Sequence, residues 1–506
     1  MRRPGTLMLI LGLTTCGGER QPAQTSEDAA PESPALTREA APAASDRRPT
    51  HASLTTPDFR LRIDAARHLV RGEIDLELAN PDTVHIQFRA DWDGYPGLAS
   101  RVRTVEAWSG SGALPVHDSR AAAGRRAIPV SGAGRVTVAY TLELTPPTDT
   151  RLYHRASQLS LQGGHLIGRD MLPRVWTSSG RGATPGHARI WFSGLPPSWR
   201  IATVARHEGN AYETDDIRDI VFALGPLRTR QFNIGPRAVT VAILGDWAAS
   251  DERIFHALQS IAGNLHSIAG DGWREGPHLI IAGRVPAGPQ GLATGGQVLG
   301  RTGLVYVGGT WPGTLGFERW LFTAAHELMH WYIPTAFHFR EQPPSWFAEG
   351  FTDYMALKTL LVGGLIPAPQ FLMEMGERIV RYQSSPLYGN TSMAEAQSAF
   401  WREDDYRFIY DGGSAAAFLL DLGFHDRRGS LERALRELSH SGQLDEERIV
   451  DALSTVRENE WLAAWLATGE NPDWGARLRN YGMELQGGRL SANESWATDE
   501  LSTIRP

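Results

Sequence analysis

His326-Glu327-Leu328-Met329-His330 places two histidines four positions apart, with a glutamate directly after the first. On an α-helix, residues i and i+4 project from one face, so both imidazoles can reach a single metal ion. Glu327 is rotated by one residue: it cannot join them as a ligand, but it can reach a water at that metal and act as general base. Three fixed positions recur by chance in roughly a few per cent of chains of this length, so the surroundings have to decide. They supply a third ligand. Glu349 follows His330 by 19 positions, flanked by Trp346-Phe347 and Phe351, and a carboxylate on so apolar a helix needs a partner. Two histidines and one glutamate leave a fourth coordination position open, which is the donor set of a catalytic Zn2+ site, one per chain. Asp353 lies one turn beyond Glu349. It can accept a hydrogen bond from the outer ring nitrogen of a ligand histidine; the alternative is an ordinary solvent-exposed helix residue.

These ligands need helices held on a packed scaffold. The motif falls in a segment from Phe317 to Ile333 that reads as a helix, with Trp320, Leu321, Ala324, Leu328 and Trp331 for packing. After Pro343-Pro344, Ser345 is placed as N-cap of a second helix from Trp346 to Leu361. Upstream lie a strand at Val239 to Leu244, a helix with Ile254, Leu258, Ile261, Leu265 and Ile268 on one face, and strands at His278 to Ala282 and Gly303 to Val307. From Phe59 onward apolar and polar residues alternate (Phe59, Leu61, Ile63; Ile74, Leu76, Leu78; Val84, Ile86, Phe88; Val136, Val138, Tyr140, Leu142), and strand-like runs recur at Ala188 to Phe192 and Ile220 to Leu224. Past Tyr410 the chain reads as helical at 414–422, 431–438, 445–453 and 460–466. The expected fold class is α+β and multidomain: an N-terminal antiparallel β domain (52–236), an α+β zinc catalytic domain (237–425), a C-terminal helical part (426–488) and a loose tail (489–506).

At 506 residues the chain exceeds one ordinary core, and 42% hydrophobic with 21% charged residues is a globular composition. A net charge of −7 and the lack of a basic run argue against nucleic acid as a partner. Lys358 is the only lysine, a single candidate for Schiff-base chemistry that is set aside. The only cysteine, Cys16, rules out an internal disulfide and a Cys-ligated zinc. Arg2 and Arg3 precede an apolar run from Leu7 to Leu13, the layout of a secretory signal (1–16) and too short to span a bilayer. Residues 17–51, rich in Ala, Pro, Ser and Glu, read as a disordered tether.

Leu13-Thr14-Thr15-Cys16-Gly17 resembles the lipobox of bacterial lipoproteins, with Thr15 where Gly or Ala is usual. That resemblance implies acylation of Cys16 and a membrane-anchored lipoprotein of the bacterial cell envelope; a periplasmic or secreted protein is the alternative. His326-Glu327-x-x-His330-Trp331, with Glu349 in Trp346-Phe347-Ala348-Glu349-Gly350-Phe351-Thr352, resembles the gluzincin zinc metallopeptidases. The nearest likeness is to the glycyl aminopeptidase family; the aminopeptidase N family shares the HExxH-x18-E layout more distantly. The resemblance implies a thermolysin-like catalytic domain and covers residues 55–488, leaving none for the PDZ domain that many members carry. It also implies that Tyr410, in Tyr410-Asp411-Gly412-Gly413-Ser414 at a Gly-containing helix start, stabilises the tetrahedral intermediate, with Tyr406 as the nearby alternative.

One departure bears on specificity. Related enzymes bind the substrate α-amino group with a glutamate in a Gly-rich segment before the zinc helix. Here Gly291, Gly295-Gly296-Gln297-Val298 and Gly300 carry no acid, and none occurs from Gly276 to Phe317. Glu318 or a residue of the β domain would have to replace it. The expected activity is hydrolysis of peptide or protein substrates by a zinc metallopeptidase, with aminopeptidase action favoured. An endopeptidase or other zinc hydrolase on the same fold comes second. A catalytically silent envelope protein acting as a binding module comes third, and such a protein would not need Glu327. Oligomeric state is not legible.

Overall fold

The computed structural model describes residues 58–492 apart from 93–96, 111, 120–121, 150–151, 180–186, 286–292, 310–314, 399–402 and 427–428. The signal segment, Cys16 and the tether lie outside the described residues, as does the tail from 493.

The alternating segments form strands as their period requires. Asp58–Asp64 and Leu69–Leu78 pair antiparallel at the centre of an eight-stranded sheet that continues through Gly134–Glu143 and Val102–Ser109. Two four-stranded sheets complete this β region, one containing Gly163–Ile167 and Val221–Gly225, the other Asp82–Gln87 and Arg125–Val130. Phe59, Ile74, Val84, Ile86 and Val138 are fully buried in its core. The all-antiparallel expectation needs one correction: Asp58–Asp64 runs parallel to Ala188–Ser193, with Phe59 opposite Ile190. The long connection between these two strands removes the hairpin constraint that forces neighbours to be antiparallel.

Next comes a five-stranded sheet in the order Arg228–Ile234, Arg237–Leu244, His278–Val285, Thr302–Gly308, Ala293–Leu299. Its three inner strands are parallel and both edges antiparallel. One face, with Val241, Ile243, Ile280, Val305 and Val307, packs on helices. The other, with Ala242, Leu279, Ile281, Leu304 and Tyr306, packs on Ile167, Val221 and Ala223 of the β region. Helix Asp251–Ala269 starts where the Ser250 side chain accepts the Arg253 N–H, and it buries the expected stripe Ile254, Leu258, Ile261, Leu265 and Ile268. The edge strand Ala293–Leu299, rich in glycine, gave no strand signal in the sequence.

The helices that follow differ from expectation at their ends. The first spans Leu315–Met329, not Phe317 to Ile333. From His330 the chain tightens, with Trp331 N–H on Leu328 O at 3.0 Å and Tyr332 N–H on Met329 O at 2.8 Å, and Pro334 cannot extend an α-helix. The second opens as a wide π-helical segment, Trp346–Phe351, and becomes α-helical over Thr352–Val362. Ser345 stands at its N-cap position, but its side chain makes no capping hydrogen bond. Ser345 is itself helical and its N–H donates to Gln397 Oε1, while Pro344 O accepts the Ala348 N–H at 2.8 Å. Tyr410 does not precede a helix start; it lies inside the long helix Glu403–Asp426. Helix Ala368–Gln383 packs across that helix and against a terminal hairpin, Met483–Gln486 with Arg489–Ala492, so residues 489–492 are a strand with Leu490 buried rather than loose chain. A single apolar cluster runs from Ile234 to Leu490 and includes Trp273, Trp320, Trp331, Trp346, Trp465 and Trp474. Among the described residues no helix is long and apolar enough to cross a membrane.

The chain's lone lysine has a structural place in this core. Lys358 Nζ lies 2.6 Å from Asp421 Oδ2 and also pairs with Glu432, while Tyr354 donates to Asp421 at 2.5 Å. All four side chains are buried, and they tie helix Thr352–Val362 to Glu403–Asp426 and to Leu431–Ser439. Removing the cation leaves two carboxylates facing each other away from water. Lys358→Met is therefore expected to lower unfolding free energy by about 3–5 kcal/mol, read from the denaturant midpoint; an unchanged midpoint would contradict this.

Candidate metal centre

His326 sits in the last turn of helix Leu315–Met329, and His330 in the tight turn that follows. The tightening keeps the two rings together: His326 Nε2 and His330 Nε2 are 3.2 Å apart. Glu349 enters from the π-helical segment, its Oε2 3.6 Å from each of those nitrogens. Such a widened turn is a frequent feature of functional sites, and it sets Glu349 in the interior at 3% exposure. The three ligand atoms converge on one point, as the sequence spacing had implied.

Both imidazoles are oriented from behind. His330 Nδ1 lies 2.8 Å from Ile333 O; a carbonyl only accepts, so Nδ1 carries the proton and Nε2 offers its lone pair. His326 Nδ1 lies 2.7 Å from Asp353 Oδ1, the contact anticipated for Asp353. Asp353 in turn faces Arg378, whose Nε is 3.7 Å from Oδ2 and whose guanidinium rests on the Phe322 ring. Burial pulls the His330 pKa down to about 4. Burial acts the same way on His326, but the hydrogen bonds of Asp353 and Glu349 reverse it and push that pKa up to about 10.

Glu327 is 1% exposed, and its Oε2 has no hydrogen-bond partner. Burial raises its pKa to about 8, against the opposing charge of His326. Gly296 of the edge strand packs directly against it: a Cβ there would lie 2.9 Å from Glu327 Cδ and closer still to Cγ. On the opposite side, Tyr410 donates to Glu349 Oε2 at 2.5 Å and stacks near His326, ring centroids 6.0 Å apart. Burial first, and Glu349 second, hold the Tyr410 pKa far above its usual value, so it stays a neutral donor. Tyr406 packs edge-on to it at 4.7 Å. Glu318 is in the first turn of the helix that carries His326.

Several contributors were not foreseen. The helices of Glu349 and Tyr410 touch backbone to backbone: a Cβ on Gly350 would lie 2.5 Å from Gly413 Cα. Gly413 is thus a helix-crossing residue and not the opening of a helix, and only glycine at both positions lets Tyr410 reach Glu349. Arg381 grips Asp411, the neighbour of Tyr410, through two bonds of 2.9 and 2.8 Å. Arg378 and Arg381 could have been seen only as polar residues on an amphipathic helix.

The donor set, two imidazole nitrogens and one carboxylate oxygen with their outer atoms engaged, is the one zinc takes in open, catalytic sites. The profile of a family described as M61 glycyl aminopeptidase matches residues 319–411, the span holding both histidines, Glu327, Glu349, Asp353 and Tyr410. No curated protein matches the chain. Among solved structures, an aminopeptidase N family protein from Idiomarina loihiensis superposes with a TM-score of 0.70 at 18% identity, over 85% of this chain and 78% of that one. An M1 zinc metallopeptidase from Deinococcus radiodurans gives a TM-score of 0.49 at 12% identity, over 83% and 95%. The first likeness shows a shared fold, α+β and multidomain with N-terminal sheets and C-terminal helices. The chain resembles the gluzincin metallopeptidases. Within that class, the likeness is to the glycyl aminopeptidase family and more distantly to the aminopeptidase N family.

Asp353→Asn is expected to weaken metal binding by about 10–100-fold while leaving the fold intact, measured by competition with a chromogenic chelator. Wild-type affinity in that variant would show that Asp353 does not position His326.

Proposed function

We propose that this chain is a zinc-dependent metallopeptidase, with aminopeptidase action favoured and His326, His330 and Glu349 holding one zinc ion. The observation that carries the reading is the Glu327 carboxylate, buried with one oxygen unpartnered beside three convergent ligand atoms. A purely structural metal site would have no use for it. Bound there, zinc supplies a Lewis acid that polarises a carbonyl and acidifies water.

The residues divide the remaining work. Glu327, a carboxylate whose basicity burial raises, takes the proton of the attacking water and returns it to the leaving amine. Tyr410, a neutral donor fixed by the Gly350–Gly413 crossing, hydrogen-bonds the oxyanion as it develops. Asp353 and Ile333 O hold the two imidazoles in the tautomer that presents Nε2. The strand Ala293–Leu299, last in its sheet, runs past Glu327, and an extended substrate backbone would lie along it. The thermolysin-like description of 237–425, the division at 236 and 425, and export with a lipid anchor at Cys16 belong to the same proposal. Endopeptidase action is the second reading, favoured by the lack of an acidic side chain in the described part of that edge strand.

The test is a panel of matched peptides, free and N-acetylated, with and without chelator. Chelator-sensitive release of N-terminal residues from free peptides only is the aminopeptidase result; cleavage of both sets makes it an endopeptidase. Glu327→Gln should keep zinc and lose about 10²–10⁴-fold in rate, whereas Glu349→Ala should lose zinc. Chelator-resistant cleavage, or full activity in Glu327→Gln, would sink the proposal.

A further inference from the structure

Helix Ala368–Gln383 carries a second arginine that the ligand set does not use. Arg378 faces Asp353, but Arg381, one turn further on, reaches Asp411 of helix Glu403–Asp426. Its Nε donates to Oδ2 at 2.9 Å and its Nη2 to Oδ1 at 2.8 Å, the two parallel bonds of a guanidinium fork. Asp411 is buried, so the fork grips it directly inside the protein. The next residue of each helix joins the contact. Tyr382 follows Arg381, Gly412 follows Asp411, and a Cβ on Gly412 would lie 2.6 Å from Tyr382 Cε2 and 2.8 Å from Met393 Cε. Tyr382 is anchored in turn: its hydroxyl donates to Asn471 Oδ1 and accepts from Trp465 Nε1, both at 2.8 Å. On its outer side Arg381 also meets Glu377, at 3.6 Å.

Tyr410 is the residue before Asp411, and the stretch after it is the weakest part of its helix. Two successive glycines, 412 and 413, lower helix propensity and leave no side chains to resist rotation. Neighbouring helix residues point about 100° apart, so holding Asp411 sets the direction of Tyr410. Side chains reach about 5–6 Å from the helix axis, and a rotation of about 10° at that radius moves a side-chain tip by about 1 Å. A displacement of that size in a catalytic group costs on the order of 10²-fold in rate. We propose that Arg381 is a positioning residue: acting through Asp411, it fixes the rotation of helix Glu403–Asp426 so that the Tyr410 hydroxyl stays beside Glu349, where the oxyanion develops. It does so without setting metal affinity, because its fork lies on Asp411 and not on a ligand or on Asp353. This rests on the reading of Tyr410 as the oxyanion donor.

The experiment measures kcat, KM and zinc affinity for the full chain and its variants on one cleaved peptide. Arg381→Gln should lower kcat by about 10²-fold with KM and zinc affinity unchanged, and Arg381→Lys, which keeps the charge but not the fork, should restore part of the loss. Tyr410→Phe should cost about 10²–10³-fold in kcat, and adding Arg381→Gln to it should cost nothing more, since the arginine acts through the tyrosine. Should Arg381→Gln not fold, Arg381→Met with Asp411→Leu removes both charges together, and the same kcat loss is expected. A second arm needs no turnover: crystal structures of the metal-free wild type and variant compare the Tyr410 hydroxyl against Glu349 Oε2, which are 2.5 Å apart here. If no peptide is cleaved, or Tyr410→Phe keeps full kcat, the oxyanion reading of Tyr410 fails and this arm still decides: a hydroxyl moved out of hydrogen-bond reach in Arg381→Gln supports the positioning role. An unmoved Tyr410, wild-type kcat in Arg381→Gln, additive losses in the double variant, or a loss of zinc affinity matching the loss of kcat overturns it.

Discussion

Glu327, Glu349 and Asp353 lie in the interior among tryptophan and phenylalanine side chains, each at 3% exposure or less. An ionised group so placed costs several kcal/mol unless positive charge and hydrogen bonds compensate. Arg378 compensates Asp353 from behind, and His326 links Asp353 to Glu349. The remaining demand falls at the point between the two Nε2 atoms and Glu349, where a divalent cation is the natural answer. The surrounding helices can be understood as the frame that holds these groups together against their mutual repulsion.

That frame depends on close backbone approaches. Gly350 against Gly413 brings the helices of Glu349 and Tyr410 into contact, and Gly296 against Glu327 brings in the edge strand. The Lys358–Asp421–Glu432 cluster then locks the same helices about two turns further on. Helix Ala368–Gln383 adds two arginines a turn apart, one on Asp353 and one on Asp411, so a single element steadies the partner of His326 and the neighbour of Tyr410.

The parts legible in the sequence were those encoded by short spacing. His326, His330, Glu349 and Asp353 are related by helical periodicity, and the Ile254-to-Ile268 stripe and the Phe59-to-Leu142 alternation follow equally local rules. What stayed hidden was set by partners distant along the chain. The parallel pairing of Asp58–Asp64 with Ala188–Ser193, the helix-crossing role of Gly413, and the grip of Arg378 on Asp353 have no local signature. Ala293–Leu299 was missed because glycine lacks strand propensity, yet closeness to Glu327 is the reason for glycine there. Ser345 misled because its type suits a cap, while the chain already turns helical at its position.

The β region is more than a support, since its loop 152–158 reaches the edge strand through the bond of Gln297 to His154 O. Both readings of substrate choice, however, presuppose the metal. The most direct measurement is anomalous diffraction at the zinc absorption edge from crystals of the purified chain. The account predicts one strong peak about 2.0–2.2 Å from His326 Nε2, His330 Nε2 and a Glu349 carboxylate oxygen. No peak there in zinc-supplemented crystals, or a peak held by other residues, would contradict it.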